Sequence, residues 1–172
     1  MPSRRQFLQT GALGAAALAL AGYLAAPAVE DSAQTEWGAL RWLRPADAQI
    51  IAALAPVMLG LRDLPLAAVV AGVDQAVAGL PPASRDEVRQ LFDLLGNRWA
   101  RRWLAGVPAP WGQAAPDALA SFLQSWRNSR FLLLRSAYQG LHQLINAAWY
   151  GNPASWAAIG YQQPAMVMER LP

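Results

Sequence analysis

Residues 117–150 read DALASFLQSWRNSRFLLLRSAYQGLHQLINAAWY, and the period of this stretch decides the fold. Leu119, Phe122, Leu123 and Trp126 recur at steps of three and four, the spacing at which side chains share one face of an α-helix. After a break near Asn128-Ser129, Leu134, Ala137, Tyr138, Leu141, Leu144, Ile145, Ala148 and Trp149 continue the same period, and Gly151-Asn152-Pro153 stops it. Residues 131–150 are apolar enough to suggest a membrane span, yet Arg135, Gln139, His142 and Asn146 fall at i, i+4, i+7 and i+11. One continuous polar face predicts instead a helix packed against a core.

Three more helices are expected upstream. Pro45-Ala46-Asp47 opens a run in which Ile50, Ile51, Leu54, Val57, Met58 and Leu61 keep helical spacing, with Pro56 predicting a kink or an early end. Leu66, Val69, Val70, Val73, Val77 and Leu80 follow, closed by Gly79 and Pro81-Pro82. Ser84-Arg85-Asp86-Glu87 has the form of a capping box, and Val88, Leu91, Phe92, Leu95, Trp99 and Trp103 would be the apolar face behind it. Residues 105–116, with three prolines, two glycines and Trp111, read as an irregular crossing loop. No period-two run occurs. The expectation is an all-α, compact bundle of four to five helices after an N-terminal signal helix. Its parts are a signal peptide over 1–28, a linker over 29–44 and a helical domain over 45–172.

The first residues carry an address. Ser3-Arg4-Arg5-Gln6-Phe7-Leu8 resembles the twin-arginine export consensus, and Gly11 to Ala28 is an uncharged, Ala- and Gly-rich stretch of the kind such signals favour. Ala26-Pro27-Ala28 supplies the small-x-small pattern of a signal-peptidase site, so cleavage is expected after Ala28. Left uncleaved, the 19 residues Gly11–Val29 would make a helix of about 28 Å, close to the hydrocarbon thickness, and would hold the chain at the membrane. The predicted location is the periplasm, with the twin-arginine translocase as a partner.

Composition removes most chemistry. All 14 basic residues are arginine, there is one histidine and no cysteine. Thiolate zinc sites, iron–sulfur clusters, covalent haem and cysteine nucleophiles are excluded, and so is any multi-histidine metal centre. No phosphate-binding glycine loop, nucleophile elbow or H-E-x-x-H motif occurs. A catalytic triad would need His142, which falls mid-helix on the polar stripe without a nucleophile turn. Without Arg4 and Arg5 the net charge drops from +3 to +1, which gives no reason to expect nucleic acid as a partner. No catalytic residue, metal ligand or cofactor-binding residue is assigned.

Aromatic and arginine residues crowd the last third. Trp126, Arg127, Arg130, Arg135, Tyr138, Trp149, Tyr150, Trp156 and Tyr161 fall within 36 residues, and Trp, Tyr and Arg dominate binding hot spots. Trp99, Trp126, Tyr138 and Trp149 occupy apolar helical positions and read mainly as core. Trp156 and Tyr161 follow the helix stop, where partner contact and folding back onto the bundle are both open. Arg127 and Arg130, beside a helix break, are either solvated or anchors for a partner.

Ser121 to Pro164, SFLQSWRNSRFLLLRSAYQGLHQLINAAWYGNPASWAAIGYQQP, resembles the C-terminal signature of the gluconate 2-dehydrogenase subunit 3 family. The matching residues are Phe122, Trp126, Ser129, Tyr138, Leu141, Leu144, Trp149-Tyr150, Pro153, Trp156 and Ile159-Gly160-Tyr161, and Leu43-Arg44-Pro45-Ala46-Asp47 resembles the family's beginning more loosely. Gln162 and Gln163 depart from the family's usual ending. The resemblance implies the small subunit of a periplasmic FAD-dependent dehydrogenase. Such a subunit carries the export signal on behalf of a catalytic partner of the glucose–methanol–choline (GMC) oxidoreductase type. FAD would then belong to the partner, and a c-type cytochrome subunit is a further partner that such complexes admit. The partner-binding residues expected on this reading are Arg127, Arg130, Trp156 and Tyr161. The competing reading is a stand-alone, signal-anchored periplasmic helical protein with a structural or ligand-binding role.

Overall fold

Helix α1, Pro45–Leu59, is the hub of the bundle, because it is apolar on nearly every side and every other long helix packs on it. A computed structural model of the chain describes residues 37–156 and residue 160. Around α1 stand α2 (Leu66–Ala78), α3 (Pro82–Gly96), α4 (Pro116–Arg127) and α5 (Leu132–Tyr150), with a one-turn α6 (Pro153–Trp156) closing the described chain. Among the described residues there are no strands. Ile50, Ile51 and Leu54 of α1, Val69, Val70 and Val73 of α2, Phe92 and Leu95 of α3, Phe122 and Trp126 of α4, and Leu141 and Ile145 of α5 form one continuous core.

Pro56 does not end α1 at its own position. The helix runs three residues beyond it, and the Pro56 carbonyl accepts the backbone N–H groups of both Gly60 and Leu61. Gly60 stops the helix with a left-handed φ of 66°, which a residue bearing a Cβ rarely adopts. Further on, α2 and α5 approach closely at Gly72, where an added Cβ would lie 3.0 Å from the Ala148 Cβ and 3.2 Å from its carbonyl oxygen.

The third helix departs from its expected bounds at both ends. It begins at Pro82, two residues before Ser84, so the Ser84–Glu87 pair lies inside the helix rather than capping it. Proline at the first helical position has a suitable φ and no N–H to leave unpaired, so the start moves to it. The helix ends at Gly96 rather than running on to Trp103. Asn97 interrupts it, its Oδ1 accepting the backbone N–H groups of Trp99 at 2.9 Å and Ala100 at 3.1 Å, and a π-helical turn follows over Ala100–Leu104. This restart changes the helical phase. Trp99, expected in the core, is 49% exposed, and Trp103 is 76% exposed.

Trp111 is buried in the core instead. In the segment expected to be only a crossing loop, a 3-10 turn over Trp111–Gln113 turns that indole inward. Its Nε1–H donates to the Leu95 carbonyl at 2.9 Å, and the ring packs edge-on to Phe122, which packs edge-on to Trp126. Trp126 and Trp149 are buried as expected, and Tyr138 is partly buried against the core.

Candidate functional site

The stretch entering α1 is tied down by residues from three helices. Asp74, an acid within the buried face of α2, accepts the backbone N–H groups of Arg41 at 2.7 Å, Trp42 at 2.9 Å and Leu43 at 2.8 Å. Burial pushes its carboxyl up, but the three N–H donors and the nearby Arg41 charge outweigh that, leaving it below its ordinary value of 3.8. Asp47, in the first turn of α1, accepts the Arg44 N–H and pairs with Arg89 of α3 at 2.7 Å. Arg89 also lies 3.9 Å over the Trp42 ring and donates to the Trp42 carbonyl. Twelve residues separate Arg41 from the expected cleavage point, at most about 40 Å of extended chain.

Of the expected partner-binding residues, the three that are described do not form one cluster. Arg127 and Arg130 are exposed at the α4–α5 corner. Trp156 is beyond the other end of α5, whose 19 residues put about 27 Å between the two places. Trp156 turns back on the bundle, its Nε1–H donating to the Tyr150 carbonyl at 2.8 Å, while Tyr150 itself is 46% exposed. Beneath them Ser155 is fully buried and donates to the Asn152 carbonyl. The neighbouring Trp149 buries its indole N–H with no acceptor among the described residues. Tyr161 lies outside the described residues, as do Ser3, Arg4, Arg5, Phe7, Leu8, Ala26 and Ala28.

Two further surfaces escaped the sequence reading. At the α4–α5 corner Phe131, Leu132 and Leu133 are all exposed, and the Leu104 carbonyl meets the Trp126 indole N–H at 3.5 Å, which brings the turn carrying Trp99 and Trp103 to the same end of the bundle. On another side an open groove of about 820 Å³ runs between α1 and the start of α4, lined by Trp37, Pro56, Leu61, Trp111, Pro116 and Leu119 among others. His142 is exposed and stacks on Tyr138 at 5.7 Å. Among the described residues, no group of three or more His, Asp or Glu is placed to hold a metal ion, and no helix is long and apolar enough to cross a membrane.

Comparison with known proteins bears on the first residues alone. No curated protein and no solved structure matches the chain. A family model described as the TAT (twin-arginine translocation) pathway signal sequence matches residues 1–21, so this all-helical protein engages the twin-arginine translocase and is exported by that pathway, typically to the periplasm.

Proposed function

We propose that the chain is the non-catalytic small subunit and export escort of a FAD-dependent GMC-type dehydrogenase, which it binds in the cytoplasm and takes to the periplasm. The observation that carries this reading is a twin-arginine signal on a chain whose residues 121–164 resemble the gluconate 2-dehydrogenase subunit 3 family. The far end of α5 supports it. There Tyr150 is exposed and the half-buried Trp156 is tied to its carbonyl, and a specific complex would extend from them over about 1,200–2,000 Å² of total buried area. FAD and the oxidation chemistry reside in the partner. This chain contributes the address and the grip.

The test is co-expression with a candidate GMC-type flavoprotein that lacks a signal of its own. Changing Arg4-Arg5 to Lys-Lys should strand the flavoprotein activity in the cytoplasm, and full activity in the periplasm would refute the escort role. Trp156→Ala should weaken co-purification while leaving the helical circular dichroism intact.

A further inference from the structure

We propose that the corner where the turn after α3 meets the α4–α5 junction is a docking surface for an anionic lipid bilayer. It lies at the opposite end of α5 from the proposed flavoprotein grip, and nothing in its argument depends on that reading. The surface combines six exposed apolar side chains. Trp99 is 49% exposed, Trp103 76%, Leu104 43%, Phe131 56%, Leu132 69% and Leu133 76%. Six such side chains at one end of the bundle are more than the singly scattered apolar residues of ordinary surface.

Charge narrows the choice of occupant. From Asn97 to Trp156 there are six arginines and one acid, Asp117, which begins α4 at the end away from this corner. Asp93, the nearest acid on α3, is already paired with Arg44. The surface is therefore basic, which opposes a second copy of itself and favours an anionic partner. Each aromatic side chain also has an arginine beside it in sequence and in space. The guanidinium carbon of Arg98 lies 5.3 Å from the Trp99 ring centre, that of Arg102 6.0 Å from Trp103, and that of Arg130 4.9 Å from Phe131. Such pairs suit the bilayer interface, where the ring sits at headgroup depth and the guanidinium meets phosphate.

Shape favours lipid over an acidic protein. Leu132 and Leu133, the first two residues of α5, point about 100° apart and Phe131 before them is extended backbone, so the exposure of all three in different directions marks a start that projects from the body. A projecting tip sinks into a fluid headgroup layer, whereas a rigid protein would need a matching pit.

The experiment is vesicle flotation of the full chain, given a protease site within residues 29–36 that removes the signal after folding. Vesicles of phosphatidylcholine with about one-third phosphatidylglycerol should carry the protein up at low salt, and pure phosphatidylcholine should not. Each of Arg98→Gln, Arg102→Gln and Arg130→Gln should weaken partitioning about fivefold, in line with about 1 kcal/mol per arginine near an anionic surface. Trp103→Ser with Leu133→Ser should abolish binding with unchanged circular dichroism, since both side chains are exposed. No flotation of the unsubstituted chain at low salt overturns the proposal. So does flotation indifferent to these substitutions, and so does a result in which they spare flotation but break a complex with an acidic protein.

Discussion

Replacing Asp74 tests the idea that one buried carboxylate fastens the entry segment to the bundle. It accepts three backbone N–H groups at 2.7–2.9 Å, and hydrogen bonds to a charged group are worth about 1.5–3 kcal/mol each. The Leu43 N–H is buried and would lose its partner outright, whereas those of Arg41 and Trp42 are partly accessible to water. Asp74→Ala should therefore cost about 3–5 kcal/mol, a large part of the roughly 5–15 kcal/mol that holds a domain folded. Asp74→Asn keeps one acceptor oxygen but turns an NH2 group toward at least one of the N–H donors, for a loss of about 2 kcal/mol. The pH dependence has a definite sign. The folded carboxyl titrates below 3.8, so the unfolded chain takes up its proton first as the solution is acidified. The stability it adds is full above that value and is lost as pH falls through it toward the folded pKa. Urea unfolding followed by circular dichroism should show a constant gap between the natural chain and Asp74→Asn from about pH 5 to 7 and a shrinking gap below about pH 4. Tryptophan fluorescence should shift as well, because Trp42 is held under Arg89. A gap under about 0.5 kcal/mol at neutral pH, or one unchanged down to about pH 3, would refute the reasoning.

Two paired substitutions test the packing. Gly72→Ala drives a Cβ against the backbone of α5 and should destabilise by about 1–2 kcal/mol in a urea titration, whereas Gly140→Ala, inside α5 with open space around it, should stabilise by up to about 1 kcal/mol. Trp111→Phe and Trp149→Phe each remove similar volume from the core, but only the first breaks a hydrogen bond and strands the Leu95 carbonyl. The first should cost about 1–2 kcal/mol more than the second, and equal losses in thermal unfolding would remove the bond from the account.

What the sequence reveals is what lies within one turn of helix. The helical periods over 45–61 and 66–80 each become a helix, that over 117–150 becomes two helices parted at the expected break near Asn128-Ser129, and the all-α class follows. Trp99 and Trp103 fail because their place on the face behind Ser84 assumes one unbroken helix. The Asn97 side chain competes for the backbone there, a known habit of asparagine, and the restarted turn carries both indoles outward. Asp74 shows in sequence as an acid between Val73 and Val77, on the face that is to be buried. Its partners stand 31 to 33 residues away, so no local pattern points to them. Gly72 looks like any helical glycine until α5 is laid against it. Phe131, Leu132 and Leu133 carried a usable signal, since they are apolar yet fit no buried stripe. Arg127 and Arg130 lie close to Trp156 in sequence but not in space, because a 19-residue helix stands between them.

The entry network joins the export address to the fold. Residues 41–44 are held by Asp74 of α2, by Asp47 of α1 and by Arg89 of α3, so they dock only when those three helices have assembled around one another. Until then the chain between the signal and the first packed residue is longer, by about 3.5 Å for each residue released. A pathway that carries folded proteins thus meets a connection whose length depends on the state of the bundle. Substitutions at Asp74 and at Arg89 alter that length without touching the signal. They are coupled through Trp42, which hydrogen-bonds to both side chains, so their effects on stability should not add.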